Sequence, residues 1–139
     1  MRESLLMQYV AADELSPTLQ RFIIDHISSV DQLETLLLLY RNPLTDFTAE
    51  EVSARLYTTP EAARTRLEDL RGRALVSQVD TKKTYRFAPL SNEAVAVVDA
   101  LAKAYKERPV SVITLIYSKP PANLQAFSDA FRLRKKEDK

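Results

Sequence analysis

The chain has 139 residues, 45% hydrophobic and 28% charged, enough to bury a core as one domain without covalent staples. It contains no cysteine, one histidine and one glycine, which excludes disulfides, thiolate metal sites, a cysteine nucleophile and glycine-rich phosphate loops. The net charge of +1 is uneven: −2 over residues 1–30, −2 over 31–74, +2 over 75–90, zero over 91–108 and +3 over 109–139. No signal-peptide pattern opens the chain, and its apolar runs fall short of the ~20 residues a membrane helix requires. A soluble, cytoplasmic protein with no membrane partner and no cofactor is expected.

Met1 to Leu15 holds an apolar cluster, Leu5-Leu6-Met7 with Tyr9-Val10. Ser16-Pro17 then supplies an N-cap and a first-position proline, and Leu19, Phe22, Ile23 and Ile27 form one stripe of a helix ending around Ser28. His26 lies at the edge of that stripe and reads as a hydrogen-bonded packing residue with no chemical role. Ser29-Val30-Asp31-Gln32 is a capping box opening a helix that runs through Leu33 to Tyr40 and stops before Asn42-Pro43. The consecutive leucines Leu36 to Leu39 cover every side of it, so this helix is expected to be central. Asp46-Phe47 follows as a short strand.

Thr48-Ala49-Glu50-Glu51 is a second capping box and begins a helix with Val52 and Leu56 inward. Tyr57-Thr58 leads to Thr59-Pro60, an N-cap and first-position proline, so the next helix starts at once. Its inward set is Ala63, Leu67 and Leu70, and it closes near Gly72, the residue best suited to a left-handed conformation past a helix end. Leu75 to Val79 and Thr84 to Ala88 read as two strands joined by the polar tip Asp80-Thr81-Lys82-Lys83. Helix, tight turn, helix and hairpin in this order predict a winged helix-turn-helix.

Pro89-Leu90-Ser91 leads into a helix of about 16 residues with Ala94, Val98, Leu101 and Tyr105 on one face. Pro109 to Tyr117 is β-branched enough for a strand, but the leading proline favours a short buried helix. After Pro120-Pro121 a last helix is expected over about Ala122 to Lys136, with Leu124, Phe127 and Phe131 as anchors and a basic end at Arg132, Arg134, Lys135 and Lys136. The fold class is therefore mainly α with a small β-hairpin. The organisation is a single domain over 1–139, with an N-terminal helix (16–30), a winged core (31–88) and a C-terminal helical extension (89–139).

The residues Glu51-Val52-Ser53-Ala54-Arg55-Leu56, Thr59, Ala63, Leu67, Leu70 and Leu75-Val76 resemble the winged-helix transcriptional regulators of the MarR and related bacterial families, over about residues 31–88. The pattern departs from theirs at three positions. Tyr57 stands where glycine is frequent, Thr58 where an aliphatic is frequent, and Ala74 where a glycine often precedes Leu-Val. The resemblance implies a DNA-binding regulator, not an enzyme, forming a homodimer through interleaved terminal helices. The alternative for those helices is that they cover their own core.

In a helix-turn-helix the second helix enters the major groove with its N-terminal residues at base edges. With Ala63, Leu67 and Leu70 inward, a rotation of about 100° per residue places Glu61, Thr65 and Glu68 at the centre of the outward face and Ala62, Arg64 and Asp69 at its sides. Arg64 suits a guanine edge or a phosphate, Thr65 a phosphate or thymine methyl, Glu61 a cytosine amino group, and Thr59 a phosphate. Arg71 and Arg73 at the helix end and Lys82 and Lys83 on the wing are the phosphate candidates, because a wing tracks the groove beside the helix. Glu68 and Asp69 oppose deep entry. Two functions follow: a regulator that binds double-stranded DNA, or a winged-helix interaction module whose acidic face meets a protein instead.

Overall fold

The computed structural model describes residues 15–79 and 83–118. Among the described residues are six helices and one two-stranded antiparallel sheet: α1 (Pro17–His26), α2 (Val30–Arg41), α3 (Ala49–Leu56), α4 (Pro60–Gly72), β1 (Val76–Val79), β2 (Thr84–Phe87), α5 (Asn92–Glu107) and α6 (Pro109–Ser118). The architecture is the expected one, a winged helix-turn-helix core with additional helices on either side. The N-terminal apolar cluster, the wing tip at 80–82 and the last helix with its basic end lie outside the described residues.

The starts of five helices are fixed locally. Ser16, Thr59 and Ser91 each accept a first-turn N–H, from Leu19, Ala62 and Ala94, at 3.1 Å. At α3 the capping box closes in both directions, Glu51 N–H to Thr48 Oγ1 at 3.0 Å and Thr48 N–H to Glu51 Oε1 at 2.8 Å. At α2 the expected box is only half formed. Ser29 Oγ accepts from Gln32 N–H at 3.0 Å, but the Gln32 side chain reaches past the cap to accept from Ser28 N–H, at 2.5 Å, and donates to Asp69 on α4. A long-range acceptor for its amide outweighs the local option.

The central position of α2 follows from its leucines: Leu33, Leu36, Leu37 and Leu39 are completely buried. The core gathers around them, with Ile23 and Ile27 from the α1 end, Val52 from α3, Leu67 and Leu70 from α4, Val98 and Leu101 from α5 and Val112 from α6. Two tyrosines tie α2 to α5: Tyr40 donates to Asp99, and Tyr105 donates to Glu34 at 3.1 Å. α1 ends at His26, slightly earlier than expected. The His26 ring tilts on Phe22 with centroids 5.0 Å apart, and its Nδ1 is buried without a hydrogen-bond partner among the described residues, so it packs but is not bonded as expected.

β1 and β2 pair with Val76 opposite Phe87 and Val79 opposite Thr84. Phe47 adds the third member as an isolated bridge to Tyr85, with N–H to carbonyl distances of 2.9 and 2.8 Å in the two directions. The wing rests on the core through Phe87, edge-on to Tyr40 at 5.4 Å, and through Tyr85. Arg108 breaks α5 from α6, because the following Pro109 disfavours a helical conformation at the residue before it. α6 is a helix as expected but only half covered. Val112 and Ile116 are buried, whereas Val110 and Tyr117 are exposed.

One expectation about the backbone is corrected. Gly72 is the last residue of α4 and does not have positive φ; the left-handed residue is Ala74, at φ 63°. Arg73 extends the turn, with its N–H shared among the carbonyls of Asp69, Leu70 and Arg71, and this moves the reversal two residues along the chain. Tyr57 is left-handed too, at φ 56° and ψ 46°, immediately after α3. Both are positions at which glycine is frequent in the regulators the sequence resembles.

Candidate nucleic-acid interface

α3 and α4 cross over the short turn 57–59 and pack on α2, with the wing beyond the end of α4. The N-terminal half of α4 is open. Thr59, Pro60, Glu61, Arg64 and Thr65 are all exposed. The Thr59 hydroxyl accepts the cap bond from Ala62, which leaves its proton available to a phosphate. The Thr65 hydroxyl donates back to the Glu61 carbonyl at 3.0 Å, so its lone pairs and methyl, rather than its proton, face outward. Arg64 lies 3.4 Å from Glu50 of α3 in an exposed pair, a weak tie that an approaching anion or base edge can replace.

The C-terminal half of α4 is tied down. Glu68 accepts from the Tyr85 hydroxyl of β2 at 2.5 Å and from Arg71 Nη2 at 2.7 Å, with Arg71 Nε at 3.2 and 3.3 Å from its two oxygens. The Arg71 hydrogen bond, followed by that from Tyr85, holds the Glu68 carboxyl below the usual carboxylate range. Burial first, and the Glu68 hydrogen bond second, push the Tyr85 hydroxyl up to about 12. On the other side of the helix Asp69 receives Gln32 and Arg73 Nε, the latter at 3.1 Å, while Arg73 Nη1 donates to the Asp25 carbonyl at 2.8 Å. The two carboxylates that oppose groove entry are thus each matched by a cation and a neutral donor.

The eight residues singled out from the sequence therefore fall into three places. Thr59, Glu61, Arg64 and Thr65 share the open half of α4. Arg71 sits between α4 and the wing, and Arg73 points to the end of α1, about 18 Å along the axis from Glu61 at 1.5 Å per residue. Lys83 is exposed on the wing at φ 53°, and Lys82 is outside the described residues. Sequence reasoning missed Gln32 and Tyr85 as the partners of the α4 carboxylates. It also gave no role to Tyr57, which is 96% exposed in the turn leading to Thr59. Among the described residues no group of three His, Cys, Asp or Glu side chains is placed to hold a metal ion.

A helix-turn-helix with an open recognition half, backed by a docked hairpin, defines a winged-helix protein. No family model matches the chain, and no curated protein sequence matches it. Solved structures do. The complex of Staphylococcus aureus MepR with DNA is similar at a TM-score of 0.50 and 14% identity, covering 97% of this chain and 96% of that one. S. aureus MepR bound to ethidium bromide is similar at a TM-score of 0.50 and 16% identity, covering 96% of this chain and 94% of that one. MepR is a transcription regulator of the multidrug efflux pump MepA. The multiple antibiotic-resistance repressor MarR of Listeria monocytogenes also matches, at 17% identity and a TM-score of 0.47, covering 98% of this chain and 92% of that one. The MepR likenesses show the fold: the described residues form a winged helix like that of MepR.

Proposed function

We propose that this protein is a DNA-binding transcriptional regulator that acts without chemistry of its own. α4 enters the major groove by its first turns, where Glu61, Arg64 and Thr65 meet base edges. Thr59, Arg71, Arg73, Lys82 and Lys83 serve the phosphates. The observation that carries this reading is the division of α4 into an open N-terminal half and a C-terminal half whose acids are already matched by Arg71, Tyr85, Gln32 and Arg73. Entry by the first turns alone keeps Glu68 and Asp69 clear of the duplex, and the carboxylate it brings in, Glu61, is the one suited to a cytosine amino group. The MepR–DNA complex shares the fold and supports the same use of it.

The protein works as a single domain in the cytoplasm and as a homodimer, its terminal helices forming the contact. The half-covered α6 supports this, with Val110 and Tyr117 exposed and a cleft of about 460 Å³ lined by Leu15, Gln20, Val110, Thr114 and Leu115. The alternative, a module that binds a protein, draws on the ion pairs that already engage Arg64, Arg66, Arg71 and Arg73. The test is fluorescence anisotropy on pooled random duplexes at low and near-physiological salt, with the oligomeric state measured alongside. Affinity falling steeply with salt supports the regulator. A folded protein that binds no duplex at low salt refutes it and favours the interaction module.

A further inference from the structure

Tyr57 combines three features that the packing of this chain does not explain. It is left-handed at φ 56°, a conformation in which an L side chain is strained. The position is the usual one for glycine after a helix: Thr58 N–H bonds the Ser53 carbonyl at 3.0 Å and the Tyr57 N–H bonds the same oxygen. The residue is 96% exposed, and its hydroxyl has no hydrogen-bond partner among the described residues. A large aromatic held in a strained conformation, yet burying nothing, contributes no stability that a smaller residue would not. The left-handed turn itself closes α3, as Ala74 reverses the chain after α4; what neither the turn nor the packing uses is the exposed aromatic side chain.

The surroundings say what that side chain is placed to meet. Tyr57 lies two residues before Thr59, the cap of α4, so no more than about 7 Å of chain separates it from the helix end that faces the groove. That end carries the positive pole of the α4 dipole, and Arg64, one turn in, is exposed and held only by its 3.4 Å pair with Glu50; both favour an anionic partner. We infer that Tyr57 is a backbone contact for duplex DNA, its ring against a deoxyribose at the lip of the groove and its hydroxyl donating to a phosphate oxygen. This rests on the DNA-binding reading above and adds to it a residue absent from the charge pattern. The contact is neutral, so it releases no counterion and reads no base.

The experiment compares the full chain with Tyr57→Ala, Tyr57→Gly, Tyr57→Phe and Lys83→Ala on a labelled pool of random-sequence duplexes across a salt series, with Tm measured in parallel. Tyr57→Ala and Tyr57→Gly bind about tenfold more weakly with the salt slope of the parent, and Tyr57→Phe about threefold more weakly. Lys83→Ala instead flattens the slope by about one. Tyr57→Gly at the same time raises Tm by about 2–3 °C, whereas Tyr57→Ala, which keeps the strain, leaves it unchanged. Parental affinity in Tyr57→Ala and Tyr57→Gly overturns the contact while leaving the DNA-binding reading in place. A parent chain that binds no duplex at low salt overturns both, and that outcome is visible before any variant is read.

Discussion

The single glycine of this chain stands two residues before a position that needs one, and exchanging the two residues tests the backbone account of the α4–β1 junction. Gly72 closes α4 without positive φ, and a Cβ built on it meets nothing within 4 Å. Gly72→Ala therefore introduces no clash. It gains helix propensity and restricts the unfolded chain, together worth about 0.5–1 kcal/mol at a helix end. Ala74 holds φ 63°, where an L residue is strained by about 1–2 kcal/mol. Ala74→Gly removes that strain but gives the unfolded chain about 0.4–1 kcal/mol of extra freedom, leaving a net gain of about 0.5–1 kcal/mol. The double variant is expected to be more stable by about 1–2 kcal/mol, or about 3–6 °C in Tm for a chain of this size. Urea unfolding followed by circular dichroism, at fixed protomer concentration, reads this as a higher midpoint with unchanged slope. A lower midpoint for Ala74→Gly would refute the left-handed assignment. A lower midpoint for Gly72→Ala would mean that its Cβ is not in open space.

Three further outcomes are expected. Arg64→Ala weakens binding to a selected target about 10-fold while barely changing binding to scrambled duplex, whereas Lys82→Ala with Lys83→Ala weakens both alike; equal losses for Arg64→Ala refute base reading. Tyr85 is pushed up to about 12 from its ordinary 10.0, so its contribution to stability is complete below pH 10 and is lost as pH rises from there through 12. Alkaline titration of stability is therefore steeper in the parent than in Tyr85→Phe, by on the order of 2 kcal/mol across that window, and superimposable curves would rule the assignment out. Leu36→Ala, at a completely buried site in α2, lowers unfolding free energy by about 2–5 kcal/mol; a loss below 1 kcal/mol in urea unfolding would show that α2 is not the centre of the core.

Much of the fold was legible because its signals are local. Ser16-Pro17, Thr48 with Glu51, Thr59-Pro60 and Ser91 mark helix starts by chemistry acting over three or four residues, and the leucines of α2 announce its central place. Less legible were the features that depend on contacts across the fold. Gln32 satisfies the local pattern of a capping box, yet its amide bonds Asp69, 37 residues away, and no periodicity records that preference. Glu68 projects outward on a helical wheel, but the wheel has no entry for Tyr85, which arrives from a later strand and draws the carboxylate to itself. The same limit applies to Gly72. A glycine near a helix end signals a left-handed residue only when the final turn is regular, and here Arg73 lengthens that turn so that an alanine takes the conformation. In the candidate interface, residue types were readable while their availability was not. Arg71 and Arg73 look like free cations in the sequence and are engaged with carboxylates in the fold.

The three-membered pairing of the wing has a consequence for how the molecule keeps to itself. Phe47 occupies the far side of β2, where it takes both the N–H and the carbonyl of Tyr85, and β1 covers the near side, while the outer flank of β1 carries peptide groups that no described strand covers. Such a flank is a template on which a second chain can lay down a strand. Two properties blunt it here. β1 is only four residues long, and its exposed positions are Ser77 and Gln78, polar side chains that offer an incoming strand no apolar surface to grip. Brevity and polarity at this one margin let the wing project from the core without becoming a seed for growth of the sheet from molecule to molecule.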